Sequence, residues 1–270
     1  MITWSSTRLA VFESCKLKYD LTYNKGLYAE DTAQALVTRK GNAFHEFAEQ
    51  YDPKWTATEA LTASQELEIK YGLPEEFSLA QPVTRFVDLY QKVIQPVIAA
   101  GGTLEREIKF AFNLNGEPFV AKLDILLKTV DNRFVIIDHK TKKSTDTKMY
   151  ASQMLLYVWA LHLRHGIPFE SLINNIDVQI FLPFASPKEL SVQKLLKTIK
   201  FTTEDILAAR DSRLAIIAAT REPWDAEATL SKVCEFCPFA GMKAHCSLSA
   251  SAGMTPTRGL AIKTRPWAST

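Results

Sequence analysis

Residues 104–140 read as three strand-length runs separated by four-residue turns, and this constrains the fold more than any other segment. In "LEREIKFAFNL" (104–114), Leu104, Ile108, Phe110 and Phe112 alternate with Glu105, Glu107 and Lys109, the period of a strand. "NGEP" (115–118) is a hairpin turn signal, because Asn-Gly accepts the positive φ angles of a tight β-turn. "FVAKLDILLK" (119–128) returns, "VDNR" (130–133) turns again, and "FVIIDHK" (134–140) forms the third run. Three consecutive strands with short turns predict a meander.

The flanking segments carry helical periodicity. Ser5 and Ser6 cap a first helix with Leu9, Phe12, Cys15 and Tyr19 on one face. Further helices are expected at 34–50, 58–71 and 82–100, the last starting at Pro82. Beyond the meander, a helix over about 147–163, a strand at 176–183 and a helix at 203–220 follow. The fold class is α/β, with a mixed sheet between helices. One domain over 1–248 is expected, with a helical lobe at about 52–102 and a weakly ordered tail at 249–270. With 47% hydrophobic residues in 270, the chain can bury a substantial core. Its 32 basic and 30 acidic residues are too balanced to announce a nucleic-acid binder and do not exclude one, because a local basic patch is enough. The sequence has no apolar run long enough for a membrane span and no signal-peptide pattern at its start, so a cytosolic, reducing location is the expectation.

The third strand raises the chemical question. "VIIDHKT" places an acid, a histidine and a lysine directly after three aliphatics. Side chains alternate along a strand, so Asp138 and Lys140 share a face and His139 takes the other. Asp124 interrupts the neighbouring strand and Glu107 the one before it. Acids inside adjacent apolar strands are costly unless something neutralises them, and a divalent metal does so. Mg²⁺ or Mn²⁺ suits Asp124 and Asp138 with a third oxygen from the His139 backbone. Lys140 is then placed to orient a water or stabilise developing charge.

The order Asp124, then Asp138-x-Lys140, on paired strands resembles the PD-(D/E)XK nuclease superfamily, and more narrowly its RecB-like branch. "GNAFHEF" supplies the Gly41 and His45 that the branch carries on an upstream helix, with His45 as a metal ligand. "QMLLY" supplies its Gln-x3-Tyr pair, Gln153 and Tyr157, one turn apart on a helix face. "SSTRLAVFESCKLKYDLTY" is similar to the branch's first helix. The chain departs from the pattern at Ala121, where glycine is usual, and at Asp138, where many members have Glu. The resemblance implies a restriction-endonuclease-like core and a Mg²⁺- or Mn²⁺-dependent deoxyribonuclease. Its catalytic residues are Asp124, Asp138, Lys140, Gln153 and Tyr157, with single-stranded DNA ends as substrate and a place in recombination, repair or replication. A non-catalytic DNA-binding scaffold and an RNA-processing nuclease are the alternatives. Lys142, Lys143 and Lys148 are candidate phosphate contacts.

"CEFCPFAGMKAHC" places Cys234, Cys237 and Cys246 within one short segment, with Cys15 as the fourth cysteine. Thiols packed this closely in a reducing compartment point to a metal rather than disulfides. The resemblance extends to iron–sulfur members of the branch, such as AddB and the nucleases of CRISPR spacer acquisition. It implies a [4Fe–4S] cluster on the four cysteines, joining the C-terminal segment to the first helix. Structural zinc on the same thiolates, or with His245 replacing one, is the alternative.

Overall fold

The computed structural model describes residues 2–29, 33–141, 147, 150–185, 191–229, 234, 237, 239, 246 and 262–264. The first helix, α1 (Ser6–Ser14), is capped by Ser5, whose side chain accepts from the Arg8 N–H at 3.2 Å. The helix expected to continue to Tyr19 instead breaks at Cys15, which is extended at φ −167°. A second short helix, α2 (Lys16–Tyr19), restarts there, with the Cys15 Sγ accepting from the Lys18 N–H at 3.4 Å. A wide π-helical turn follows at Asp20–Asn24, then a short strand, β1 (Leu27–Ala29). Helix α3 (Ala33–Gln50) buries Phe44, Phe47 and Ala48, and α4 (Ala57–Lys70) begins on a reciprocal Thr56–Glu59 capping box. Helix α5 (Ala80–Leu89) starts two residues before Pro82 and buries Val83, Phe86 and Leu89. It runs through a π-helical turn at Tyr90–Ile94 into α6 (Gln95–Ala99). Pro96 there has no N–H to give the preceding turn, which accounts for the wider winding.

The meander forms as the alternation requires: β2 (Thr103–Leu114), β3 (Glu117–Lys128) and β4 (Phe134–His139) are successive antiparallel neighbours. Asn115 and Gly116 take φ of 50° and 91°, the two left-handed residues of a type I′ turn. Helix α7 (Ala151–His165) crosses over and ends on Gly166 at φ 62°. After a one-turn helix, α8 (Phe169–Ile173), strand β5 (Ile176–Phe181) lies parallel to β4. A short helix, α9 (Val192–Leu195), leads into β6 (Leu196–Thr198), antiparallel to β5. The mixed sheet therefore has the order β2-β3-β4-β5-β6 and is flanked by helices. Helix α10 (Thr203–Ala219) and a last strand, β7 (Ile262–Thr264), complete the order.

The chain divides into two compact units, residues 39–210 and residues 1–38 with 211–270. The larger unit holds the whole five-stranded sheet, together with residues 52–102, which were expected as a lobe. Its core joins Leu123, Ile125, Leu127, Ile136, Ile137, Val178 and Ile180 of the strands to Met154, Leu156, Val158 and Leu161 of α7, all essentially without exposure. Each such side chain contributes about 1.5–3 kcal/mol of burial free energy. Arg85 on α5 is buried and donates to the carbonyls of Pro183 and Ala185 at 2.7 and 2.8 Å, tying the helices to the loop after β5.

The smaller unit packs Phe12, Tyr19 and Trp224 edge to face, with centroids 5.2 to 6.1 Å apart. It also contains all four cysteines. Within the segment expected as a tail, Ile262–Thr264 pairs antiparallel with Leu27–Ala29. The other residues beyond Cys246 lie outside the described ones.

Candidate active site

Strands β3 and β4 stop pairing where the acids begin. Their last paired residues are Ile125 and Ile137, one position short of Asp124 and Asp138. In place of a ladder carbonyl, the Asp124 carboxylate accepts the His139 N–H through Oδ2 at 2.5 Å. On the other side, β4 stays paired with β5 through His139, and the Lys140 N–H donates to the Phe181 carbonyl at 2.9 Å. The strands thus splay on one side only, and β5 holds the backbone of Asp138, His139 and Lys140 in place.

Asp138 belongs to a closed circuit of one ion pair and three hydrogen bonds. Lys140 Nζ lies 2.7 Å from Asp138 Oδ2 and donates to Gln153 Oε1 at 2.9 Å. The Gln153 amide donates to the Tyr157 oxygen at 2.6 Å, and the Tyr157 hydroxyl donates to Asp138 Oδ1 at 3.3 Å. The spacing of Gln153 and Tyr157 on α7 brings both to this circuit, and the Lys140 ammonium also sits 4.9 Å from the Tyr150 ring centroid. Burial and the neighbouring Asp124 charge push Asp138 up to about 6 despite Lys140. Burial and the Asp138 carboxylate hold the Tyr157 hydroxyl well above its ordinary value, so it remains a donor.

His45 reaches the same acids from α3. Its Nδ1 lies 3.2 Å from Asp124 Oδ1 and 3.4 Å from Glu107 Oε1. Burial opposes a charged imidazole here, but Asp124 and Glu107 together outweigh it and raise the group to about 10. Burial likewise opposes the Asp124 charge, while His45 and the His139 N–H bring Asp124 down to about 2. Gly41, one turn before His45, explains the close fit of α3: a Cβ there would stand 3.3 Å from Thr141 Oγ1, just past Lys140.

The His139 ring packs against Phe44, Phe86 and Phe181 at 5.5 to 5.7 Å. It is 2% exposed, and neither ring nitrogen has a hydrogen-bond partner. Burial lowers its pKa to about 4, so it is neutral. Among the described residues, His45, Asp124 and His139 form the one group of three ligating side chains whose donor atoms all lie within 4.8 Å of one another. The sequence reading used only the His139 backbone.

The predicted metal and catalytic residues His45, Asp124, Asp138, His139, Lys140, Gln153 and Tyr157 therefore fall in one neighbourhood of the larger unit. Lys142, Lys143 and Lys148 lie outside the described residues, as does His245. The cysteine sulfurs are not gathered as closely as the His45 group, although Cys15, Cys234, Cys237 and Cys246 are all half-buried and outside any disulfide. The Cys237 N–H donates to the Cys234 carbonyl at 3.1 Å, and the Leu17 N–H to the Glu227 carbonyl at 3.2 Å. Sequence reasoning gave no role to Glu107 and overlooked Lys122, which is ion-paired with it. The one signal was an acid in the middle of a strand.

No curated protein matches the chain. Solved structures similar to it at low identity include the following two. One is a Eubacterium rectale protein provisionally named an exonuclease, 12% identical, with a TM-score of 0.49 and 87% of each chain covered. The other is SSO0001, 14% identical, with a TM-score of 0.33, covering 90% of this chain and 95% of that one. Among the described residues, no helix is long and apolar enough to cross a membrane. A family model matches residues 3–242, spanning the sheet, the His45 helix and the Asp124, Asp138 and Lys140 positions, and the chain belongs to the PD-(D/E)XK nuclease superfamily.

Proposed function

We propose that this chain is a Mg²⁺- or Mn²⁺-dependent deoxyribonuclease of the RecB-like kind, acting as an exonuclease on single-stranded DNA ends in recombination, repair or replication. The observation that carries the reading is the closed Asp138–Lys140–Gln153–Tyr157 circuit beside a second buried acid, Asp124. A fold gains nothing from crowding two carboxylates until one is pushed up to about 6. A divalent cation fits that crowding, held by Asp124, Asp138, His45 and the His139 carbonyl. When bound, it polarises a phosphoryl oxygen and makes a water acidic enough to attack.

The chain's own residues supply the rest. Lys140 Nζ has three N–H bonds. One is directed to Gln153 while the ammonium is ion-paired with Asp138, which leaves an N–H for a non-bridging phosphate oxygen or the attacking water. Gln153 is fixed by polarity, with its oxygen toward Lys140 and its nitrogen toward Tyr157. Tyr157 is fixed in turn by donating to Asp138. The circuit therefore holds the ammonium in one orientation before substrate arrives, so no rearrangement is needed as charge develops on the phosphate.

Cys15, Cys234, Cys237 and Cys246 are proposed to hold a [4Fe–4S] cluster, with zinc as the alternative. The reading is supported by their placement in one compact unit, the Cys234–Cys237 turn, and the bond that ties α2 to the chain before Cys234.

A matched set of end-labelled single-stranded DNA, duplex DNA and RNA oligonucleotides tests the substrate. Stepwise loss of nucleotides from single-stranded DNA, with RNA left intact, is expected. Preferential cutting of RNA would overturn the substrate assignment. Binding without cutting in Mg²⁺ and in Mn²⁺ would make the chain a scaffold.

A further inference from the structure

We infer that Arg8 gives the smaller unit a phosphate-binding site of its own, whose ligand is a backbone phosphodiester of the nucleic-acid substrate. The inference rests on the reading of the chain as a nuclease, but it concerns a residue outside the metal site. Arg8 is the third residue of α1 after the Ser5 cap. That position favours an acid, which returns a hydrogen bond to the cap and complements the helix dipole. Helix α4 follows the rule with Glu59. In α1 the first turn carries no acid and Arg8 stands there instead, so helix stability does not account for it.

The surroundings hold the guanidinium still. Its carbon lies 5.3 Å from the Trp4 ring centroid, 5.6 Å from that of Tyr19 and 4.7 Å from that of Tyr23. Trp4 and Tyr19 are buried, and the Tyr19 and Tyr23 rings are themselves 5.2 Å apart. Stacking of this kind suits arginine, whose flat, weakly hydrated group directs its N–H bonds outward in its own plane. Nε donates to the Tyr19 hydroxyl oxygen at 3.2 Å, which fixes the rotation of that plane. Among the described residues, no carboxylate or carbonyl engages the two terminal nitrogens. The acids of the same segment are taken: Glu13 pairs with Arg213 and Asp20 with Lys25, each at 2.8 Å.

Arg106 shows the structural use of the same chemistry. It also lies against an aromatic ring, Tyr90 at 5.3 Å, but its Nη1 donates to the carbonyls of Ala48, Glu49 and Tyr51 at 3.3, 3.2 and 2.7 Å. Arg8 is held on three rings and keeps its fork. A guanidinium fork matches two oxygens of a phosphate, and charge-assisted bonds of this kind are about twice as strong as neutral ones. A contact to the phosphate positions the strand and reads no base, so the site has no sequence preference.

The test uses the full chain in EDTA, with a fluorescent single-stranded DNA oligonucleotide bound but not cut. Affinity is read against salt by anisotropy, with thermal melting beside it. Arg8→Met keeps a stem on the rings and deletes the fork, while Arg8→Lys keeps the charge without the fork. Arg8→Met is expected to weaken binding by about tenfold. It should also reduce the salt slope by about 0.7, the value for one phosphate on a single strand, at an unchanged melting temperature. Arg8→Lys should restore the slope and only part of the affinity. Lys25→Met, which removes an exposed charge already paired with Asp20, should leave the slope as it is. Parental affinity in Arg8→Met, a loss that merely follows a fall in melting temperature, or an equal loss in Lys25→Met would each overturn the assignment. Inorganic phosphate that raises the melting temperature of the parent but not of Arg8→Met, with DNA binding the same in both, would make this a site for the free ion and overturn it as well. A parent that binds no oligonucleotide even at low salt would overturn it too, but by removing the nucleic-acid reading beneath it.

Discussion

Asp138→Asn should remove DNA cleavage and, in metal-free protein, make the fold more stable. The folded state holds the Asp138 carboxyl up to about 6 against an ordinary value of 3.8. Each pH unit between those values corresponds to about 1.4 kcal/mol, so at neutral pH an ionised Asp138 costs the fold about 3 kcal/mol. Asparagine has the shape of the neutral acid. Its oxygen can keep the Lys140 contact and its amide can reach the Tyr157 oxygen. From about pH 4 to 6, the folded parent retains a proton here that the unfolded chain has lost, so the parent loses stability relative to the variant as pH rises. The assay is urea unfolding of both proteins in EDTA from pH 4 to 8. The difference should be close to zero at pH 4 and level off near 3 kcal/mol above pH 6, a midpoint shift of about 1 M for an m-value of about 3 kcal/mol/M. A difference that does not change with pH, or a variant less stable than the parent at pH 7, would refute the account of two crowded carboxylates.

Gln153→Ala and Tyr157→Phe should each slow cleavage by about 10- to 1000-fold with normal DNA binding, since both act on the orientation of Lys140; single-turnover rates set against binding curves check this. His45 is held up at about 10, so a cation that takes its nitrogen must displace a proton. Apparent Mn²⁺ affinity should therefore rise by up to about tenfold per pH unit from pH 7 to 9, and the rise should vanish in His45→Ala. Anaerobically purified protein should be brown and contain about four irons per chain, as a Cys₄ cubane requires. Cys237→Ser should lose the colour and melt at a lower temperature while its residual cleavage at low temperature persists. A colourless parent with one zinc per chain would move the assignment to zinc.

The parts of this molecule legible in the sequence are those where local chemistry and tertiary structure agree. Alternation in 104–114 and the Asn115-Gly116 pair were enough for the hairpin, because the turn demands positive φ and the sequence supplies residues that tolerate it. Gln153 and Tyr157 were legible because a helix brings residues four apart together whatever else surrounds it. The break at Cys15 was hidden, because Phe12, Cys15 and Tyr19 keep a helical spacing across it. Strands of three residues, such as β1, β6 and β7, are too short to show a period. Glu107 was visible as an acid in a strand, but nothing in the letter E announces a left-handed backbone, which is imposed by the partners around it. Strand alternation separated His139 from Asp138 and Lys140, but the cage of Phe44, Phe86 and Phe181 around its ring draws on three separate elements that no local pattern connects.

The central claim is that Lys140, aligned by Asp138, Gln153 and Tyr157, serves a metal-dependent cut. Its most direct test is a time course on end-labelled single-stranded DNA with parent and Lys140→Ala protein, each in Mn²⁺ and in EDTA. The account predicts progressive shortening by the parent in Mn²⁺, none in EDTA, and none by a Lys140→Ala protein that still folds and binds Mn²⁺. Cutting by the parent in EDTA, or cutting by Lys140→Ala at the parental rate, would contradict it.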